Sequence, residues 1–158
     1  MEIKFCKNRI NLIHSFGISR SSNDYYDIIY IYIIDGDIIA RGEASPSKRY
    51  NESTELILSV LEKGLNVPES SNSKEHLWNF LKPQLKGISS LEAAVNMAVW
   101  DWSAQKEKVP LFKLFGFKDE ILPKTSYTIA IGNLNELDER LEESEQCSIL
   151  KVKLGTPD

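Results

Sequence analysis

The chain has 158 residues, 42% of them hydrophobic, enough for a domain with its own core and too apolar for a disordered tail. Its 19 Lys and Arg against 23 Asp and Glu leave a net charge of -4, with no excess of cation to displace counterions from a phosphate backbone, so nucleic acid is not an expected partner. The longest apolar run, residues 28–34, is too short to span a bilayer, the first residues lack a secretory pattern, and Cys6 and Cys147 suit neither a disulfide framework nor a metal-ligand pair; no membrane contact and a cytoplasmic location are expected.

Residues 3–13 alternate Ile, Phe and Leu with Lys, Asn and Arg, the period of a half-buried strand. A polar loop is expected over 15–24. Residues 25–34 are almost wholly β-branched or aromatic, Asp35-Gly36 supplies a tight turn, and 37–44 return, so the chain opens with a three-stranded antiparallel meander. From Glu52 the period becomes helical, with Leu56, Val60 and Leu61 on one face and Gly64 as the stop. Ser73 caps a second helix bearing Leu77, Phe80 and Leu81, which breaks near Pro83. The third helix has the longest stripe, Leu91, Ala94, Val95, Ala98, Val99 and Trp102, opened by Ser89 and Glu92 as a capping box. Pro110 starts a last turn through Leu114 and Phe115 that Gly116 closes.

After Pro123 the pattern reads as strand (125–131), helix (134–145) and strand (149–154). A crossover of this length joins parallel strands, which need helices on their faces or closure into a barrel. The expected fold class is an α+β unit to about residue 120, joined to the first βαβ unit of an α/β domain.

In the last strand residues two apart share a face, so Lys151 and Lys153 point one way with Ile149, and Leu150, Val152 and Leu154 point the other. As surface charges, the lysines would guard an edge strand. Inside a (β/α) barrel, near its C-terminal mouth, two ammoniums on one face are costly to charge together, and desolvation would let one serve as a base near neutral pH. Arg20, within Ile18-Ser19-Arg20-Ser21-Ser22, carries a guanidinium suited to a carboxylate and is otherwise solvated; Arg49 and Tyr50 occupy a second loop with the same two readings. Thr128 is a strand former one strand before the lysine pair. His14 and His76 have no carboxylate or histidine at metal-ligand spacing and read as structural. Trp78, Trp100 and Trp102 lie on helices as core, and Glu43 reads as an anchor at the end of the third strand.

A series of phrases in fixed order resembles the muconate-lactonizing subgroup of the enolase superfamily, and within it the dipeptide epimerases. The phrases are Ser15-Phe16-Gly17-Ile18-Ser19-Arg20, Gly42-Glu43-Ala44-Ser45-Pro46 and Arg49-Tyr50-Asn51-Glu52-Ser53, then the helix around Ala98-Val99-Trp100-Asp101-Trp102 and Pro110-Leu111 with Leu114-Phe115-Gly116. Thr125-Ser126-Tyr127-Thr128-Ile129 and Leu150-Lys151-Val152-Lys153-Leu154-Gly155 complete it.

The resemblance implies an α+β capping domain over residues 1–120, a three-stranded antiparallel meander followed by helices, with 121–158 the first part of a truncated TIM-like (β/α) barrel. It implies abstraction of the α-proton of a dipeptide residue, with Mg2+ meeting the charge that develops on oxygen. Matched position by position, Lys153 would be the acid/base, Lys151 would sit beside it and hold the substrate carboxylate, and Thr128 and Arg20 would contact substrate. The family's carboxylate metal ligands and second catalytic lysine come from later strands, so Mg2+ would be bound by residues beyond this chain and no metal ligand is assigned within it. The chain alone is then expected to be inactive and, with Leu150, Val152 and Leu154 uncovered, prone to association. The full-length protein is expected to be a homo-oligomer acting on a small-molecule dipeptide. The alternatives are o-succinylbenzoate synthase or muconate cycloisomerase chemistry on the same lysine pair, or a non-catalytic α+β interaction module whose lysines are surface charges.

Overall fold

Residues 1–18, 21–118 and 123–155 are described by a computed structural model, in which the chain divides into two units. The first holds Met1–Arg9 and Asp27–Lys118; the second holds Ile10–Tyr26 and Asp119–Asp158.

In the first unit the sheet has the order β1 (Glu2–Ile18), β2 (Ser21–Asp35), β3 (Ile38–Ala44), with β2 and β3 antiparallel and closed at Asp35↔Ile38. Gly36, at φ 61°, makes the turn between them. The register sets Ile29, Ile31 and Ile33 opposite Ala44, Gly42 and Ala40, so one face of β2 offers three isoleucines and the same face of β3 only small residues. All three isoleucines are fully buried, each contributing about 2 kcal/mol by leaving water.

Helix α3 (Ser89–Glu107) lies on that face of β3, where the small residues leave room for its backbone. A Cβ at Gly42 would stand 1.9 Å from the Ala94 carbonyl oxygen, so only glycine permits this approach. The expected stripe of α3 is buried throughout, from Leu91 to Trp102. Its Trp-Asp-Trp phrase ties the helix to the sheet. The Trp102 indole donates to Asp35 at 2.9 Å, and Asp101 accepts from the Arg41 amide at 2.8 Å on the β3 edge. Trp100 instead stacks on Phe115, with ring centroids 4.6 Å apart.

Helices α1 (Thr54–Leu61) and α2 (Lys74–Leu81) add Ile57, Val60, Leu61, Leu77 and Leu81 to the same core. Ser53 and Ser73 cap them, accepting from the Leu56 and His76 amides. Leu56 and Phe80, expected on the apolar faces, are each 40% exposed; Ile57 and Leu77 with Leu81 take the inward positions. A 3-10 turn, Lys82–Leu85, carries Pro83 past the end of α2, and the short α4 (Leu111–Leu114) follows Pro110.

Two local expectations give way to tertiary contacts. Ser89 with Glu92 does not form a capping box: Ile88 is the N-cap residue, without a side-chain bond. The buried carboxylate of Glu52 accepts from the Ser89 amide at 2.7 Å, the Ser89 hydroxyl at 2.6 Å and the Ser90 amide at 3.3 Å, taking the role a local cap would have had. Likewise, of the stretch 15–24 expected as a polar loop, the described residues 15–18 and 21–24 are strand. Polar side chains do not prevent this, because ladder bonds belong to the backbone, and here the Ser15 hydroxyl also donates to the Asp24 carboxylate.

The second unit contains the far ends of β1 and β2 together with β4 (Tyr127–Ile129), a 3-10 turn (Leu134–Glu136), α5 (Leu137–Glu143) and β5 (Leu150–Val152). β4 and β5 are parallel, as a βαβ crossover requires. Leu150, Val152 and Leu154 are 42%, 54% and 88% exposed. Among the described residues no helix is long and apolar enough to cross a membrane.

Candidate active-site face

The two parallel strands pair Tyr127 with Leu150, Thr128 with Lys151 and Ile129 with Val152. The Tyr127 amide donates to the Ile149 carbonyl and the Lys153 amide to the Ile129 carbonyl, each at 2.9 Å, so the pairing continues to Lys153. Side chains alternate along a strand, and Thr128, Lys151 and Lys153 therefore share one face of this pair. Tyr127 belongs to the other face, where its hydroxyl donates to Glu143 of α5 at 2.7 Å. Helix α5 also reaches the chain just past β4 through buried Arg140, which donates to the Ala130 carbonyl at 3.2 Å and to Glu136 at 2.7 Å, while Leu150 and Val152 on the β5 part of that face stay exposed.

The far end of the β1–β2 hairpin meets the C-terminal end of β4. Gly17 forms an antiparallel bridge with Ile131, whose amide donates to the Gly17 carbonyl at 3.2 Å. A Cβ on Gly17 would fall 2.0 Å from the Ile131 oxygen, so the bridge requires glycine. One residue earlier, the Phe16 ring lies 4.5 Å from the Lys153 ammonium, a cation–π contact that holds the lysine head at this end of the strands. Lys153 and Thr128 are half-buried and Lys151 is exposed. Arg20 lies outside the described residues.

Thr128, Lys151 and Lys153 are thus brought together, whereas Arg49 and Tyr50 lie in the first unit on a 3-10 turn, Lys48–Tyr50. Phe16 and Gly17 had no role assigned from the sequence. The available signal was a glycine interrupting a strand-like stretch, which marks a close backbone approach. His14 also differs from its expected isolation: its Nε2 is 2.9 Å from Glu143 Oε2. Tyr127 and then His14 hold the Glu143 carboxyl below its ordinary value, while the bond to Glu143 and then burial push the Tyr127 phenol up.

Mg2+ takes hard oxygen ligands, usually carboxylates. The lysine face of β4 and β5 carries Thr128, Lys151 and Lys153 and no carboxylate. Glu143 belongs with α5, on the Tyr127 side. The residues present on the lysine face therefore do not form a magnesium site.

Residues 3–116 match the family model described as mandelate racemase / muconate lactonizing enzyme, N-terminal domain. The whole chain is 29% identical over 165 residues to an L-Ala-D/L-amino acid epimerase of Pedosphaera parvula, covering 47% of that protein. It is 30% identical over 163 residues to a hydrophobic dipeptide epimerase of a Flavobacteria bacterium, covering 99% of the chain and 46% of the relative. Among solved structures it resembles a dipeptide epimerase from Methylococcus capsulatus complexed with Mg and the dipeptide L-Arg-D-Lys. That match has a TM-score of 0.82 and 25% identity, over 98% of this chain and 46% of the other. The chain spans about half the length of the curated relatives it matches. With a three-stranded sheet followed by helices and most of its length under the family model, this chain belongs to the mandelate racemase / muconate lactonizing enzyme family through its N-terminal domain.

Proposed function

We propose that this chain is the N-terminal part of a dipeptide epimerase, in which Lys153 is the acid/base on one face of the α-carbon of a dipeptide residue. Lys151 holds the substrate carboxylate beside it, and Thr128 and Arg20 contact the substrate. The observation that carries this role is the register of β4 and β5. It aligns Thr128 with Lys151 and puts Lys153 next on the same face, away from helix α5. In a barrel the helices lie outside, so the face turned from α5 is the interior, and the C-terminal ends of its strands form the mouth where chemistry is placed. The hairpin end bearing Phe16 and Gly17 lies at those C-terminal ends.

An ammonium on a flexible stem beside a second cation serves both tasks. Lys151 offers a positive charge to a substrate carboxylate. Lys153 as the free amine accepts the α-proton from one face of the carbon, or as ammonium delivers it there, and inversion requires a second acid/base on the opposite face. The substrates and metal named for the relatives, dipeptides and Mg, make a Mg2+-dependent dipeptide reaction the proposal for the intact protein, with the ion held outside these residues. The 158 residues by themselves are proposed to be inactive.

The test follows deuterium entering the α-carbon of an L-Ala-L-Glu-type dipeptide from D2O. The protein carried through its full reading frame should exchange the proton with Mg2+ present and lose this with Lys153→Ala. Exchange that survives Lys153→Ala, or turnover by the 158-residue chain above blank, would refute the assignment.

A further inference from the structure

We infer that His14, Glu139 and Glu143 form a binding site for a divalent transition cation, zinc in particular. Their ligand atoms, one from each side chain, all lie within 4.8 Å of one another, and among the described residues no other three His, Cys, Asp or Glu groups do so. The group is not a patch of acids on one helix. Glu139 and Glu143 stand four apart on α5, one above the other, and the fold brings an imidazole to them from β1, 129 residues from Glu143 in sequence.

The donor set selects the ion. Imidazole with two carboxylates suits Zn2+, Co2+ or Ni2+, whereas Mg2+ takes oxygen alone. With bonds of about 2.0–2.2 Å, ligand atoms on tetrahedral zinc lie about 3.3–3.6 Å apart. His14 and Glu143, at 2.9 Å, are already inside that spacing, and closing the rest from within 4.8 Å needs up to about 1.5 Å of movement by the glutamate side chains.

The surroundings fit the role. The Tyr127 hydroxyl donates to Glu143 at 2.7 Å and orients it, the outer bond that metal-ligating carboxylates commonly receive. The nearest cation on the same helix, Arg140, is engaged by Glu136 at 2.7 Å and by the Ala130 carbonyl. Three ligands leave at least one position for water, so the ion would tie β1 to α5 by coordination at a site open to solvent.

Isothermal calorimetry with Zn2+ on the 158-residue chain is the test, with the Co2+ absorption spectrum read in parallel. One zinc should bind per chain. His14→Gln and Glu139→Gln should each weaken it by more than about a hundredfold, and Tyr127→Phe, which removes only the outer hydroxyl, by about tenfold. Glu139 is exposed, so its variant keeps the test decisive if the strand variant misfolds by circular dichroism. Absence of zinc binding by the parent chain, unchanged affinity in Glu139→Gln, or a thiolate-to-cobalt charge-transfer band placing the ion on Cys6 or Cys147 would each overturn the site.

Discussion

Replacing Glu52 tests whether one distant carboxylate holds the start of α3. In Glu52→Ala the Ser89 and Ser90 amides and the Ser89 hydroxyl lose their shared acceptor in a site where Glu52 itself is only 8% exposed. Loss of a helix cap removes about 1 kcal/mol, loss of a partly buried charge at a helix N-terminus up to about 2, and unpaired buried donors about 1–3. These overlap, since they describe the same bonds, and a net loss of about 3 kcal/mol is expected, or a midpoint lower by about 6–12 °C. Urea unfolding followed by tryptophan fluorescence measures it, because Trp78, Trp100 and Trp102 all lie in the first unit. Glu52→Gln keeps an oxygen acceptor without the charge and should lose about half as much. Burial opposes the Glu52 charge, but the bonds from Ser89 and Ser90 outweigh it and hold the carboxyl below 4.5. A folded value below the unfolded one means that this stability is complete above the unfolded value and fades as pH falls through the folded one. The gap between parent and Glu52→Ala should therefore be full at neutral pH and shrink below about pH 4.5. A gap under about 0.5 kcal/mol at neutral pH, or one that persists in acid, would refute the reasoning.

Gly42→Ala should destabilise the first unit by about 3 kcal/mol in the same urea assay, because its Cβ would stand 1.9 Å from the Ala94 oxygen and 3.0 Å from the Ala98 nitrogen; a loss under about 1 kcal/mol would show slack between β3 and α3. Gly17→Ala should open the bridge to Ile131, speeding exchange of the Ile131 amide by at least about tenfold while β2–β3 amides stay protected; unchanged protection at Ile131 would count against the bridge. The Arg9 guanidinium, donating to both Asp27 oxygens at 2.8 and 3.1 Å, holds that carboxyl down at about 2. Arg9→Gln should move its NMR titration toward 3.8, and any stability from the pair, present at neutral pH, should be lost as pH falls from 3.8 through about 2. A titration left in place would assign the shift to other groups.

Local periodicity encodes one part of this fold. The meander followed from alternation in 3–13 and from the β-branched run in 25–34, and α3 from a stripe one turn apart that the structure buries from Leu91 to Trp102. The parallel character of β4 and β5 followed from the length of the crossover between them. The lysine pair was legible because two residues apart in a strand means one face. Contacts between distant segments were settled only in the tertiary structure. Ser89 and Glu92 satisfy the local grammar of a cap, yet a carboxylate 37 residues away occupies the site first, since a buried charge must find donors wherever the fold supplies them. The polar residues 15–18 and 21–24 read as loop because propensity registers side chains, whereas strands are held by backbone groups. Thr128 was named for its place, but its alignment with Lys151 depends on a register no single strand contains. His14 looked isolated for the same reason: its partner Glu143 is near only after a hairpin and a helix from opposite ends of the chain have met.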